Sequence, residues 1–137
     1  MTTVQFDTYT AARTHFKDLL NAADRGVVAT VRRDERTVAV VDGGRLLATL
    51  MKARPANAVV MPEDGAWTVI LPGLPIAAEA VTIDDAVVDA IDALREYADD
   101  WADRLSLAPN HAGNWDLVQL VGLATDEQLR SWINERR

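Results

Sequence analysis

The sequence predicts an α+β protein made of two small modules in tandem. Three observations carry that expectation. Apolar residues recur at spacings of three and four in some segments and alternate in others, a proline-containing stretch divides the chain near residue 55, and the charge is split between the two parts. Residues 1–54 hold nine basic and six acidic side chains, a net of +3, whereas residues 55–137 hold five and fifteen, a net of −10. Charge is felt over about 8–10 Å in physiological salt, so the two parts meet partners separately. The first can face phosphate although the whole chain carries −7.

Val4 and Phe6 alternate with polar neighbours and suit a short strand. Ala12, Phe16, Leu19, Leu20 and Ala23 then form one apolar stripe of a helix, with Thr10 as its expected N-cap and Gly26 just past its end. The β-branched runs 27–31 and 37–41 flank Arg32–Arg33–Asp34–Glu35–Arg36, a hairpin with a charged tip. Asp42–Gly43–Gly44 reads as a turn before a second helix, Arg45 to Lys52. The first module, 1–54, is therefore strand, helix, β-hairpin, helix.

Ala53–Arg54–Pro55–Ala56–Asn57 reads as a linker, since proline disfavours helix in the residue before it. Residues 58–61 and 66–71 form a second hairpin about Pro62–Glu63–Asp64–Gly65. Pro72–Gly73–Leu74–Pro75 is expected to break that ladder, with a further short strand at Ala80–Val81. Thr82 and Asp85 resemble a capping box opening a long helix, whose seam runs Val87, Ile91, Leu94, Ala98, Trp101, Leu105. Its other faces carry seven carboxylates from Asp85 to Asp103. After a loop at 108–110, helices are expected at Trp115–Val121, stopping near Gly122, and from Thr125, with Gln128 in the capping-box position. The second module, 55–137, is thus a hairpin plus a long helix with a helical C-terminus.

No apolar run approaches the ~20 residues that cross a bilayer, and the N-terminus lacks the layout of a signal peptide, so a cytoplasmic protein is expected. The absence of cysteine excludes disulfides, thiolate catalysis and cysteine-based zinc sites. His111 sits in a polar loop where a catalytic base could stand, but Ser106 nearby lacks a nucleophile-elbow pattern. His15 lies off the apolar stripe. No phosphate loop or dinucleotide fingerprint occurs, so neither enzymatic activity nor a cofactor is expected.

Tyr9–Thr10–Ala11–Ala12–Arg13, followed by Phe16 and Leu19–Leu20 before Gly26, resembles the opening motif of Phd/YefM antitoxins. Arg32–Arg33 before Thr37–Val38–Ala39–Val40–Val41 is similar to that family's basic turn and apolar strand, so the resemblance spans about residues 3–52. It implies a homodimer that binds operator DNA through its N-terminal halves and represses its own operon, while the following segment neutralises a cognate toxin. It also implies that Arg13 and Arg32 contact DNA. Arg33 and Arg36 join them on charge alone, because guanidinium bonds phosphate or guanine in a forked geometry. The alternative is that these arginines are solvated and pair with Asp34 and Glu35. A dimeric interaction scaffold without DNA binding is the matching alternative for the whole protein.

The hairpin at 59–71, the proline step and Thr82–Ile83–Asp84–Asp85–Ala86 are similar to HicB-type antitoxin domains over about residues 57–103. Ile76, Ala77, Ala78 and Glu79 stand where such domains place a cysteine and a glycine. The acidic helix face is either a solvated face, a surface for a basic partner, or a divalent-metal site at Asp99, Asp100 and Asp103. Of the four tryptophans, Trp101, Trp115 and Trp132 are the candidates for gripping a partner, since interfaces favour tryptophan, although helical spacing equally suits Trp101 and Trp132 to a core.

Overall fold

The computed structural model describes residues 3–135. It is a mixed α+β chain that forms two compact units, Met1–Ala48 and Thr49–Arg137.

The first unit opens with β1 (Thr3–Phe6), α1 (Tyr9–Thr14) and α2 (Phe16–Asp24), followed by β2 (Val28–Arg33) and β3 (Arg36–Val40). Strand β2 is central, parallel to β1 and antiparallel to β3. Alternation puts Val4, Phe6, Ala29, Val31 and Val40 on one face, where they pack with Ala12, Leu19 and Ala22 of the helices. The single helix expected here is two. His15 interrupts it with φ −112 and ψ 32, its ring Nδ1 lies 3.0 Å from the Ala11 carbonyl, and the Thr14 hydroxyl donates to the Thr10 carbonyl at 3.0 Å. Such side-chain bonds compete with the backbone ladder. The N-cap is Thr8, whose hydroxyl accepts from the Ala11 N–H, rather than Thr10.

Helix α2 ends as its sequence requires. Gly26 is left-handed at φ +79, the Val27 N–H reaches the Ala22 carbonyl at 2.9 Å, and the Gly26 N–H reaches Ala23 at 2.9 Å. Helix α3 (Gly43–Ala53) begins earlier than Arg45, because the Asp42 carboxylate accepts from the Arg45 N–H at 2.9 Å and draws both glycines into the first turn. The division between the units falls within α3.

In the second unit β4 (Val59–Glu63), β5 (Ala66–Leu71) and β6 (Ile76–Ala80) form an antiparallel sheet in that order. The proline step does not break the ladder; it turns it. Pro72 and Gly73 occupy the centre of a turn closed by the Leu74 N–H on the Leu71 carbonyl at 3.2 Å, and Gly73 supplies the φ of +81. Leu71 then pairs with Ile76, so the third strand starts well before Ala80, and Val81 lies beyond it, exposed.

Helix α4 (Ile83–Asp100) covers the sheet and continues as one π-turn, Trp101–Leu105. Only the Thr82 half of its capping box forms, to the Asp85 N–H at 3.1 Å. Its seam follows expectation through Val87, Ile91, Leu94 and Trp101, but Tyr97 is buried where Ala98 was expected. A short 3-10 turn (Ala112–Asn114) precedes α5 (Trp115–Leu123), which continues through Gly122, and α6 (Asp126–Asn134). Both helices lie against α4. Thr125 and Gln128 form the full expected box, at 2.8 and 3.1 Å. Among the described residues no helix is long and apolar enough to cross a membrane.

Residues 53–57 do not behave as a free linker. Arg54 donates to Asp116 Oδ1 at 2.6 Å and to Asn114 Oδ1 at 3.0 Å, and its carbonyl accepts from Trp132 Nε1 at 2.9 Å. The residue before the proline that marked this stretch as a linker is the one that ties it down.

Candidate functional site

In the first unit the β2–β3 ladder decides where each arginine stands. The strands extend to Arg33 and from Arg36, so these residues form the last cross-strand pair, and only Asp34 and Glu35 make the turn. Asp34 takes the left-handed φ of 54, a conformation that aspartate tolerates. Opposite residues share a face, and successive ones alternate. Arg33 and Arg36 therefore share the helix-facing side with Val31 and Val38, whereas Arg32, paired with Thr37, lies on the other side.

A cleft of about 500 Å³ runs between the helices and this face. Arg13 of α1 and Arg33 border it, and apolar side chains line the rest, including Tyr9, Phe16, Val31 and Val38. Sequence periodicity placed Phe16 and Leu20 on the buried stripe, but both are exposed in this chain. Tyr9, Phe16 and Val38 are 63%, 57% and 51% exposed.

Among the described residues, ion pairs join Arg45 to Asp42, Arg54 to Asp116, Arg95 to Asp126 and Arg104 to Asp100. None involves Arg13, Arg32, Arg33 or Arg36, although Asp34 and Glu35 lie next to them in the chain.

In the second unit a chain of polar side chains links Asp116, Arg54, Asn114, Tyr97 and His111. Asn114 Nδ2 donates to the Tyr97 hydroxyl at 2.8 Å, which lies 2.7 Å from His111 Nδ1. Trp101 Nε1 donates to the His111 carbonyl at 2.7 Å. His111 is thus engaged in holding its loop, with no serine among its partners. Arg95 performs a similar task on the other helices, donating to the carbonyls of Val121 and Ala124 and to Asp126.

These bonds separate the three candidate tryptophans. Trp101 and Trp132 are buried with their indole N–H groups satisfied inside the unit, and Trp132 is only 3% exposed. Trp115, at the start of α5, is 53% exposed. The carboxylates Asp85, Asp89, Asp92, Glu96, Asp99, Asp100 and Asp103 are all exposed. Among the described residues no group of three histidine or carboxylate side chains converges as a metal site, Asp99, Asp100 and Asp103 included.

A family model described as PHD-like, antitoxin of toxin-antitoxin, RelE/RelB, TA system, matches residues 1–132. The chain belongs to the PHD-like antitoxin family. Its general function is that of an antitoxin in a toxin-antitoxin system, and antitoxins of this family are not enzymes. A solved structure described as an antitoxin part of a proposed toxin/antitoxin system from Syntrophomonas wolfei subsp. wolfei is similar to it. The two share 18% identity over 96% of each chain with a TM-score of 0.78, a likeness of fold. No curated protein matches the chain. The one family model runs through both units of the antitoxin, so its second unit belongs to the PHD-like chain, and a separate HicB-type domain gains no support.

Proposed function

We propose that this antitoxin dimerises through the apolar cleft of its first unit, binds operator DNA to repress its own operon, and holds its toxin with the second unit. The observation that carries the reading is the coincidence, on one side of the first unit, of an open apolar cleft with Arg13 and Arg33, which among the described residues join no carboxylate in an ion pair.

The first unit has a very small interior. Among the described residues its buried apolar side chains are Ala12, Leu19, Ala22, Ala23, Ala29 and Leu47, four of them alanines. A unit of this size is marginal by itself, because too little surface leaves water on folding. A second copy seated on Tyr9, Phe16 and Val38 would supply the missing burial. An isologous dimer would also present Arg13, Arg33 and Arg36 twice, as a two-fold operator requires. Arg32, on the far face of the ladder, is the weaker candidate by geometry, although the Phd/YefM resemblance favours it. A DNA-binding antitoxin of this kind acts in the cytoplasm.

Fluorescence anisotropy with the DNA upstream of its gene, at two salt concentrations, tests the reading. Binding should weaken steeply with salt, and loss of Arg13 or Arg33 should lower the salt slope by about one each. Absence of binding at low salt, with toxin present as well, would leave a dimeric scaffold as the better description.

A further inference from the structure

The second unit is layered as sheet, α4, then α5 and α6. Helix α4 covers one face of the sheet, where Val69, Leu71, Ile76 and Ala78 are buried. The register assigns the opposite face to Val59 and Met61 of β4, Ile70 of β5 and Ala77 of β6, with Glu63 and Glu79 as its charges. Among the described residues no helix of the unit packs broadly on this face. Val59, Met61 and Ala77 are exposed there and Ile70 is half-buried, while Thr68, on the central strand between Met61 and Glu79, is 8% exposed. The Thr68 hydroxyl donates to Glu63 Oε2 at 3.3 Å, which holds that carboxylate over the sheet. No lysine or arginine occurs in any of the three strands.

We propose that this open sheet face is where the toxin docks, receiving a patch of the toxin that is apolar at its centre and basic at its edge. The proposal rests on the antitoxin reading above and locates its partner surface. An apolar centre with a charged margin is the usual anatomy of a protein interface, and opposite fields speed and orient association. Charge also decides against a second copy of this chain. In a two-fold contact the face would meet itself, and its Glu63 and Glu79 would find no lysine or arginine on the partner's strands to pair with.

The test uses the full antitoxin and the small protein encoded beside its gene, with affinity measured by calorimetry. Met61→Lys places a charge among the exposed apolar side chains of β4, Glu79→Lys reverses a charge at the margin, and Glu96→Lys makes the same charge change on α4 instead. Glu79→Gln removes the charge with little change of shape, should either lysine variant fail to fold. We expect Met61→Lys to weaken binding about a hundredfold, Glu79→Lys about tenfold and Glu79→Gln several-fold, with Glu96→Lys within about threefold of wild type. Folded sheet variants that bind as tightly as wild type overturn the proposal. So does a change in oligomeric state with toxin affinity intact, which would assign the face to a second copy. If wild type itself fails to bind, all variants fail alike, and it is the choice of toxin and the antitoxin reading that fall, taking the docking face with them.

Discussion

Arg54 Nη1 lies 2.6 Å from Asp116 Oδ1, across 62 residues of sequence. This pair fixes the segment leaving α3 to the start of α5, and the second nitrogen of the same guanidinium reaches Asn114. Both charged groups are about two-thirds to three-quarters removed from solvent, so the pair is worth more than a surface ion pair. Arg54→Ala should destabilise the second unit by about 2 kcal/mol, the range for hydrogen bonds to charged groups. Arg54→Lys should recover little, because an ammonium cannot serve Asp116 and Asn114 in the same fork. Urea unfolding followed by tryptophan fluorescence reads both.

The tryptophans should separate by role. Trp132→Phe replaces the buried indole with a smaller aromatic ring, removing the N–H that meets the Arg54 carbonyl and leaving space behind, and should cost at least about 1–2 kcal/mol of stability. Trp115→Ala should leave stability within about 0.5 kcal/mol, as exposed substitutions generally do, and should remove the fluorescence that a soluble quencher reaches in the wild type. Equal losses of stability in the two variants would contradict this assignment.

Two glycines should respond with opposite sign. Gly26 closes α2 in the left-handed region, and a Cβ there would stand 3.0 Å from Arg45 Cζ, so Gly26→Ala should destabilise by about 1–2 kcal/mol. Gly122 lies within α5 with open space around it, so Gly122→Ala should stabilise by about 0.5–1 kcal/mol through helix propensity. Thermal melts of the two variants check the signs directly.

Sequence periodicity read the second unit well where burial is completed within the unit. Val87, Ile91, Leu94 and Trp101 follow the 3.6-residue repeat because sheet and helices enclose α4. Between Leu94 and Trp101 the repeat misleads, since Tyr97 takes the interior place of Ala98 and bonds His111 and Asn114, partners distant in sequence. The break at His15 was hidden for a different reason: it depends on which side chains turn back onto carbonyls, and no spacing records that. The arginines were legible by type but not by side. Ending the strand at Val31 left Arg32, Arg33 and Arg36 in one loop, whereas continuing the ladder to Arg33 splits them between faces. Tyr9 and Val38 passed unnoticed as cleft residues because only the folded ladder and helix bring them together.

Phe16 carries the last prediction. It belongs to the apolar stripe of α2 by spacing, yet the chain leaves it 57% exposed beside Tyr9 and Val38. A stripe that is apolar but uncovered in one copy is explained if a second copy covers it, and placing a carboxylate in a desolvated apolar contact is among the most costly substitutions available. Phe16→Glu should therefore turn a dimer into a monomer at micromolar concentration, as read by sedimentation velocity. It should also abolish operator binding although Arg13 and Arg33 are unchanged, because one copy offers too few phosphate contacts. Phe16→Leu keeps the surface apolar and should remain dimeric and DNA-binding. A wild-type chain that sediments as a monomer at high concentration would remove the cleft as a dimer contact and, with it, the reason for Phe16 being where it is.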